Sequence, residues 1–302
     1  MKPAQRIVIA GASSGIGAAL VRALAGDGHA VFACARREDR LRGLAQSLSG
    51  VFVRRCDVSQ EADVEAFAAW VRSQADGVDA LVNCAGGFGA IGPAAQTDSR
   101  AWWRTLETNL LGTYLIIKHL VPMMKPASRP RIINFSGGGA FEPFPRYSAY
   151  AVSKAAVVRL TETLAVELAP RGITVNAVAP GFVATEIHQD TLRSGVALAG
   201  AEHFERTRQR LREGGVPIEV PVACVRFLLS ERAAGLTGKT LSASFDPWDS
   251  PAFVERIPQI SASGLYTMQR INLVHLPDDD LRRALEEARD GLAAAAARHG
   301  AA

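Results

Sequence analysis

The amino-acid sequence predicts an α/β fold: a doubly wound parallel sheet of about seven strands with helices on both faces, followed by a C-terminal extension. Short runs rich in β-branched residues alternate with longer helical patterns. These runs are largely apolar, which is typical of parallel strands covered on both faces. A glycine-rich turn also joins the first run to the first helical pattern. Right-handed crossovers would then place a ligand crevice at the carboxyl ends of the strands.

The strands and helices alternate along residues 1–245, which we take as one domain. Strands are predicted at 6–10, 30–35, 51–55, 79–83, 131–136 and 173–178, with a weaker seventh at 239–245. Helices are predicted near 16–26, 38–48, 60–75, 98–124, 147–169 and 219–230.

Two regions fall outside this alternation. Residues 186–215 follow the sixth strand, contain several glycines, and are predicted to form a mobile flap within the same domain. Residues 246–302 form the extension, in which a loop containing Pro247 and Trp248 leads to a helix that Asp278 or a neighbour can cap. The apolar stripe of that helix is formed by Leu281, Leu285, Ala288 and Leu292.

Composition excludes several classes of protein. The chain of 302 residues is 48% hydrophobic and has a formal charge of +4, which indicates a globular protein without a nucleic-acid partner. The densest basic segment, 204–212, fits either a solvated helix face or an anionic partner. No apolar run is long enough to cross a membrane or to act as a signal peptide, so a cytoplasmic location is expected.

The four cysteines, Cys34, Cys56, Cys84 and Cys224, have no metal-ligand spacing. Three of them lie in or just after apolar runs, so we interpret them as small buried side chains in a reducing compartment. No metal site is predicted.

The segment 7-IVIAGASSGIG-17 is a strand that leads through a glycine-rich turn into a helix. Gly11 permits the sharp turn, Gly15 lets phosphate oxygens approach backbone N–H groups, and Gly17 permits close packing of the helix. The spacing G-x-x-x-G-x-G differs from the usual dinucleotide fingerprint, but the physical roles are the same. The turn therefore indicates a Rossmann-type dinucleotide site.

Five motifs together resemble the short-chain dehydrogenase/reductase family in order and spacing. They are the glycine turn, 83-NCAG-86, Asn109 in 107-ETNLLGTY-114, Tyr150-x-x-x-Lys154 and 180-PGFVAT-185. The resemblance covers residues 5 to about 245. It implies an NAD(P)-dependent oxidoreductase that transfers hydride between a nicotinamide and a secondary alcohol or ketone.

The end of the second strand, 34-CARR-37, bears on the choice of cofactor. The resemblance implies that an acidic residue at position 35 would bind the ribose 2′-hydroxyl of NAD. This chain has Ala35 there. Arg36 follows, and its guanidinium can clamp a 2′-phosphate, to which Ser14 could add a hydroxyl. NADP(H) is therefore predicted, with NAD(H) possible; the alternative is that Arg36 and Arg37 only solvate a loop.

The resemblance implies further cofactor contacts. Asp57 would meet the adenine, although it could instead belong to the N-cap region of the following helix. Small residues after the fourth strand would leave room for a ribose, and the loop after the sixth strand would follow the nicotinamide. The cofactor set is completed by Ser13, Ile16, Val58, Asn83, Ala85, Gly86, Pro180, Gly181, Val183 and Thr185.

Tyr150 and Lys154 lie four residues apart, which puts them on one face of a helix. A tyrosine can protonate the alkoxide that hydride transfer leaves, but its reference pKa of about 10 makes its phenolate scarce at neutral pH. We expect the Lys154 ammonium to lower that pKa. The resemblance implies that Lys154 also binds the nicotinamide ribose. Tyr147 has no such lysine and is expected to pack or to line the substrate pocket.

Two further catalytic residues follow from the resemblance. It implies that Asn109 holds a water in a proton relay. The family's carbonyl-orienting serine stands thirteen residues before the tyrosine, where this chain has Gly137. Ser136 is one residue earlier, and a one-residue step along a strand reverses the side-chain direction. We predict that Ser136 takes the role with the help of the glycines at 137–139, or that another donor does so.

Two alternatives to a simple dehydrogenase stay open. One is a non-catalytic dinucleotide-binding scaffold, and the other is a dehydration or epimerisation in which the cofactor is reduced only transiently. The substrate is expected to be a small carbonyl or alcohol compound. The helices at 98–124 and 147–169 resemble the pair through which the family forms dimers and tetramers, so a homodimer or homotetramer is expected. Trp248, Tyr266 and Met268 are candidates for lining the pocket or a subunit contact.

Overall fold

Seven parallel strands form one sheet in the order β3-β2-β1-β4-β5-β6-β7, in a computed structural model that describes residues 4–268 and 283. The strands are β1 Arg6–Ala10, β2 Ala30–Ala35, β3 Val51–Arg55, β4 Ala80–Asn83, β5 Arg131–Phe135, β6 Thr174–Ala179 and β7 Thr240–Ser242. Each neighbouring pair is parallel and in register, for example Ile9 with Val82 between β1 and β4. The doubly wound sheet is confirmed. The direction in which successive strands are added to the sheet reverses between β1 and β4.

Helices connect the strands. They are α1 Gly15–Gly26, α2 Glu38–Ser47, α3 Glu61–Gln74, α4 Ser99–Leu106, α5 Gly112–Leu120, α6 Ser148–Glu167, α7 Ile187–Ala199, α8 Ala201–Glu213, α9 Glu219–Leu228, α10 Pro251–Glu255 and α11 Ile257–Ala262. The described residues include no helix that is both long enough and apolar enough to cross a membrane.

The single helix predicted over 98–124 is wrong in one respect. Its middle, Glu107–Leu111, is a π-helical turn that separates α4 from α5, and its end, Val121–Met123, is a 3₁₀ turn. One extra residue per turn shifts the register of the side chains that follow, and such bulges are common at functional sites. The apolar periodicity alone does not reveal the insertion because both halves keep a helical pattern.

The region predicted as a flap, 186–215, consists of the two helices α7 and α8. They are joined at Gly200, whose φ of +85° suits glycine. A second glycine, Gly195, has φ +74° within α7 and kinks it. The glycines thus mark a bend and a junction between helices.

Two hydrophobic cores cover the two faces of the sheet. Alternate residues of β1 enter opposite cores: Ile7 and Ile9 pack with α1 and α9, whereas Val8 and Ala10 pack with α3 and α5. All four are at most 1% exposed. Burial on both faces explains why the strands lack a polar alternation.

The compact unit that contains the sheet ends at Thr267, beyond the predicted domain end at 245. Within the extension, Trp248 is 8% exposed and lies 5.5 Å from the Phe227 ring, and Phe253 lies 5.8 Å from the Tyr266 ring. Of the two roles predicted for Trp248 and Tyr266, lining the pocket is therefore wrong, since both pack on the hydrophobic core, while a subunit contact stays a prediction. The predicted helix with Leu281, Leu285, Ala288 and Leu292 lies outside the described residues.

The seventh strand is shorter than predicted. The Asp246 carboxylate accepts a hydrogen bond from the Ser242 backbone N–H at 2.6 Å, in the turn that follows the strand. Only Thr240–Ser242 pair with β6.

An ion pair joins the starts of β1 and β4. The Asp79 carboxylate accepts hydrogen bonds from the Arg6 backbone N–H, Nε and Nη2 at 2.8–2.9 Å. Burial alone would raise the pKa of Asp79, but the hydrogen bonds and charge of Arg6 outweigh it, so its pKa is lowered. The ionised carboxylate therefore stabilises the folded state.

We expect the substitution Asp79→Asn to lower the free energy of unfolding by about 1–3 kcal/mol at pH 7, because it removes a charged acceptor from a largely buried site. A group with a lowered folded-state pKa stabilises above its unfolded pKa, which is about 3.9 for aspartate. The difference between the two proteins should thus shrink as the pH falls below about 4. Denaturant unfolding at several pH values measures it, and Glu38→Gln, in an exposed pair with Arg42, is the control. If the loss of free energy of unfolding in Asp79→Asn does not change with pH, Asp79 does not stabilise the fold as an ionised carboxylate.

Candidate active site

The glycine turn after β1 is a place where no side chain fits. A Cβ on Gly11, whose φ is +84°, would lie 2.4 Å from the Ala85 nitrogen, and a Cβ on Gly17 would lie 2.3 Å from the Gly11 oxygen. Ser14 is the N-cap of α1, and its side chain makes no capping hydrogen bond. The first N–H groups of α1 can therefore bind an anion, so this cradle fits the diphosphate of a dinucleotide.

A cleft of about 1830 Å³ opens along the carboxyl edge of the sheet. Asn83 is the one residue of the predicted set that does not line it: it is 4% exposed and donates to Asn134 Oδ1 at 2.8 Å, between β4 and β5. The predicted residues that do line the cleft are Gly11, Ser13, Ser14, Gly15, Ile16, Gly17, Arg36, Arg37, Asp57, Val58, Ala85, Gly86, Asn109, Ser136, Tyr150, Lys154, Pro180, Gly181, Val183 and Thr185.

Arg37 bridges the two rims of the cleft. Its guanidinium donates to the hydroxyls of Ser13 and Ser14 at 3.1 and 2.5 Å. It also donates to the Glu186 carboxylate at 2.6 Å, which Arg40 contacts at 2.5 Å. These two arginines lower the pKa of Glu186 to about 2. Sequence reasoning did not indicate this carboxylate, because it lies 149 positions from Arg37.

Arg36 lines the same side of the cleft as Arg37, but its guanidinium is not bound to a carboxylate of the described residues. It follows the buried Ala35 at the end of β2, is exposed, and lines the cleft. Within the described part of the chain it makes no ion pair and no side-chain hydrogen bond. Its guanidinium is therefore available to an anionic ligand, whereas that of Arg37 is already bound to a carboxylate.

Asp57 forms a turn of its own. Its carboxylate accepts from both the backbone N–H and the hydroxyl of Ser59 at 3.1 and 2.8 Å. The N-cap of α3 is Gln60, three residues after Asp57, and the Asp57 N–H donates to the Asp63 carboxylate in the first turn of α3 at 2.9 Å, so Asp57 lies in the N-cap region without being the cap itself. The turn holds Asp57 against the cleft, beside Val58.

Tyr150 and Lys154 lie on one face of α6, and both are buried at 6% exposure. The Lys154 ammonium donates to the Phe135 carbonyl at 2.8 Å and lies 5.8 Å from the centre of the Tyr150 ring. Burial lowers the pKa of Lys154 to about 8 and raises the pKa of Tyr150. The expectation that Lys154 lowers the tyrosine pKa is therefore wrong for this arrangement, since desolvation of the phenol dominates.

Asn109 lies in the π-helical turn and is 1% exposed. Its Oδ1 accepts from the Gly87 N–H at 3.0 Å, and its Nδ2 donates to the Gly87 oxygen at 2.9 Å and to Ser153 Oγ at 3.0 Å. A Cβ on Gly86 would lie 3.2 Å from Asn109 Oδ1 and 3.4 Å from Lys154 Nζ. Asn109 thus fixes the loop after β4 against α6.

The Tyr150 hydroxyl occupies the space that a side chain at 137 would need. A Cβ on Gly137 would lie 2.1 Å from that oxygen, so the serine that the family carries there does not fit this position of Tyr150. Ser136 is 2% exposed, lines the cleft, and its hydroxyl has no hydrogen-bond partner in the structure. A buried unpaired hydroxyl is costly, which is typical of a group reserved for a ligand.

Aromatic side chains that the sequence reasoning missed form the wall beside Tyr150. Phe88 contacts the Tyr150 ring edge-on at 4.8 Å between centres, and Phe182 stacks on His188 at 3.8 Å. Tyr147 packs as predicted: it is fully buried and hydrogen-bonded to Thr191 at 2.9 Å. The signals that could have indicated the missed phenylalanines are that Phe88 follows the NCAG motif by two residues and that Phe182 lies within the PGFVAT motif.

We expect the substitution Gly137→Ala to lower the free energy of unfolding by about 1–3 kcal/mol, because the added methyl group overlaps the Tyr150 hydroxyl and forces the ring to move. Gly138→Ala is the matched control: its Cβ would have no atom within 4 Å. Its effect should stay within about 0.5 kcal/mol. Equal stability of the two variants in denaturant unfolding would contradict the placement of Tyr150.

Comparisons with known proteins agree with this geometry. Residues 5–194 match the family model described as short chain dehydrogenase. The chain is 36% identical over 246 residues to "Granaticin polyketide synthase putative ketoacyl reductase 1" from Streptomyces violaceoruber (78% of this chain, 90% of the relative). It is 35% identical over 239 residues to an L-fucose dehydrogenase from Oryctolagus cuniculus (78% and 82%).

A solved structure of a single-substitution variant of actinorhodin polyketide ketoreductase with NADPH superposes with a TM-score of 0.72 and 32% identity, over 79% of this chain and 95% of the other. The family model matches more than half of the chain, and the relatives exceed 30% identity over most of their own length. The chain therefore belongs to the short-chain dehydrogenase/reductase family.

Proposed function

We propose that this member of the family is an NADP(H)-dependent oxidoreductase that interconverts a ketone and a secondary alcohol, with Tyr150 as the acid/base. The observation that carries the proposal is the convergence of Tyr150, Lys154 and Ser136 on one wall of a cleft that also contains the glycine cradle. The relatives named as ketoacyl reductases, and the ketoreductase solved with NADPH, support it.

The residues suggest how the reaction would proceed. A bound nicotinamide supplies or accepts the hydride. Tyr150, whose pKa burial raises from a reference value of about 10, is protonated at neutral pH, so its hydroxyl would have a proton to donate to the oxygen of a carbonyl that is being reduced. The Lys154 ammonium, whose pKa is about 8, is mostly charged at pH 7 and offsets the phenolate that results.

Two further groups would orient the reactants. The unpaired Ser136 hydroxyl can donate to the substrate oxygen from the cleft wall. Asn109 would hold the Gly87 backbone and thereby the floor of the cleft, with its side-chain amide already bound to protein groups. Any water in a proton relay would have to share those groups. Lys154 would also bind the nicotinamide ribose, as the family resemblance implies.

The preference for NADP(H) over NAD(H) rests on Arg36. No acidic side chain stands at position 35, and the exposed Arg36 guanidinium lines the cleft just after β2, where the adenosine of a bound cofactor would lie. A 2′-phosphate would find a partner there for a charge-assisted, bidentate hydrogen bond. Arg37 would act less directly, because Glu186 already binds it.

A dimer or tetramer is part of the proposal. Large apolar side chains are exposed on the helices that the sequence suggested as the subunit contact: Trp103, Leu111, Tyr114, Val152 and Val166. If these side chains adjoin one another on the two helices, they would form the kind of apolar patch that is typical of an interface. We also propose a cytoplasmic location, which the four free cysteines favour.

Two other functions of the same fold make different predictions. A non-catalytic scaffold would bind NADPH without turnover of any carbonyl. A dehydratase or epimerase would transform its substrate without net consumption of NADPH. Absorbance of NADPH, followed together with product analysis, separates all three functions.

We expect Tyr150→Phe to abolish the reduction of every ketone in a test panel, because the substitution removes the proton donor. We expect Ser136→Ala to lower kcat at least tenfold, because the substitution removes a hydrogen-bond donor to the carbonyl oxygen. Both variants should keep NADPH affinity close to that of the wild type. Steady-state kinetics and NADPH fluorescence titration measure these effects. Binding of NADPH without turnover by the wild-type protein, across a broad panel, would favour the scaffold instead.

We expect Arg36→Ala to weaken NADPH binding about tenfold or more and to leave NADH binding nearly unchanged, since only NADPH carries the 2′-phosphate. Arg42→Ala is the matched control, because Arg42 lies on α2, outside the cleft, in an exposed pair with Glu38. Fluorescence titration of both cofactors gives the dissociation constants. An equal loss for the two cofactors would argue against a 2′-phosphate contact.

A further inference from the structure

Helix α8 turns one face toward the cleft. His203, Arg206 and Arg210, spaced three and four residues apart, line it, whereas Arg208 and Arg212 of the same helix do not. The sequence allowed two interpretations of the basic segment 204–212, a solvated helix face or a site for an anionic partner. The structure gives the segment two different sides. One side of it faces solvent, and the other faces the cavity beside the catalytic wall.

The charge on the cleft side of α8 is poorly neutralised. Within the described residues Arg210 makes no ion pair, and Arg206 reaches only Glu202, at 3.8 Å, whose side chain is 90% exposed. Glu213 is the acidic residue that α8 turns to the cleft, and it accepts a hydrogen bond from Gln209 at 2.7 Å.

Carboxylates from α7 also reach this part of the cleft. Asp190 is paired with Arg193, so it does not neutralise α8. Burial and then the charges of Arg206 and Arg210 lower the pKa of His203. Burial, His203 and Arg210 lower the pKa of His188 to about 4. The imidazoles are therefore neutral at pH 7, and the two arginines provide the positive charge.

A continuous series of rings leads from the catalytic tyrosine to Arg210. Phe88 lies 4.8 Å from the Tyr150 ring and 5.6 Å from the His188 ring. His188 stacks on Phe182 at 3.8 Å, and the Arg210 guanidinium lies 5.5 Å from the centre of the Phe182 ring. Such a surface fits a flat apolar body better than a sugar, whose hydroxyls would find few partners.

We propose that the substrate is a ketone with a flat, ring-bearing apolar body and an anionic group, a carboxylate or a phosphate, that Arg210 binds with the help of Arg206. This inference rests on the proposed function, since it assigns the substrate of the same site. The ketone end lies at Tyr150, the rings of Phe88 and Phe182 hold the body, and the anion lies at the mouth of the cleft. A guanidinium already placed over a ring is suited to bind an anion that ends an aromatic ligand.

The test measures binding, so that it does not depend on knowing the substrate. Protein saturated with NADP⁺, which fills the phosphate sites of the cofactor, is titrated calorimetrically with 2-naphthoate, 2-naphthyl phosphate and the neutral 2-naphthamide. We expect whichever of the two anions has the higher affinity to bind at least tenfold more tightly than 2-naphthamide. The ratio of naphthoate to naphthyl phosphate affinity distinguishes a carboxylate site from a phosphate site.

Two variants locate the anion. Arg210→Gln should remove the advantage of the anions over the amide, while its NADPH affinity and melting temperature stay those of the wild type. Arg208→Gln, which breaks an exposed pair with Glu205 on the opposite side of α8, should keep the full advantage.

Three results would overturn the inference: equal binding of anion and amide, an advantage that survives Arg210→Gln, or no binding of any of the three probes. Failure of the proposed function looks different. In that case the naphthoate or naphthyl phosphate binds as expected, yet no carbonyl compound is reduced and Tyr150→Phe changes nothing.

Discussion

The structure depends on a steric constraint at the junction of β1 and β4. Gly11 and Gly17 allow backbone to meet backbone at distances that no Cβ permits, so the turn after β1 lies directly on Ala85 after β4. This contact defines the switch point of the doubly wound sheet and creates the phosphate cradle. Because Gly86 adjoins it, the side chains of Asn109 and Lys154 approach the same place. One glycine-dependent contact therefore joins the cofactor cradle to the catalytic wall.

The sheet and this constraint were predictable from the sequence because they rest on local patterns. Apolar runs specify strands buried on both faces, and a glycine turn between a strand and a helix specifies the cradle. The π-helical turn around Asn109 was not predictable, because the helices on either side of it each keep an apolar pattern and the extra residue only shifts one pattern against the other. The contact of Glu186 with Arg37 was hidden for another reason, since it depends on how the fold brings distant segments together.

The site separates roles that sequence reasoning had combined. Tyr150 and Lys154 share a helix face, yet the ammonium binds the Phe135 carbonyl and does not donate to the phenol. Burial then raises the tyrosine pKa and lowers the lysine pKa, so their charges are controlled by desolvation. A protonated tyrosine beside a mostly charged lysine has a proton to give and a positive charge nearby, which is the arrangement that the proposed acid/base role of Tyr150 needs.

Two features determine what surrounds Tyr150 in the cleft: the missing side chain at Gly137, and the paired helices α7 and α8. Loss of the side chain at 137 lets the Tyr150 hydroxyl move into that space, toward the unpaired Ser136 at the end of β5. The wall facing Tyr150 is then formed by Phe88 and, through His188, by α7 and α8. Helix α8 also supplies Arg206 and Arg210 to the cleft, so in the proposed reaction the same segment would both enclose the substrate and bind its anionic group. If the proposed function holds, substrate choice would depend on residues 186–215 more than on the glycine cradle or on α6, which carries Tyr150.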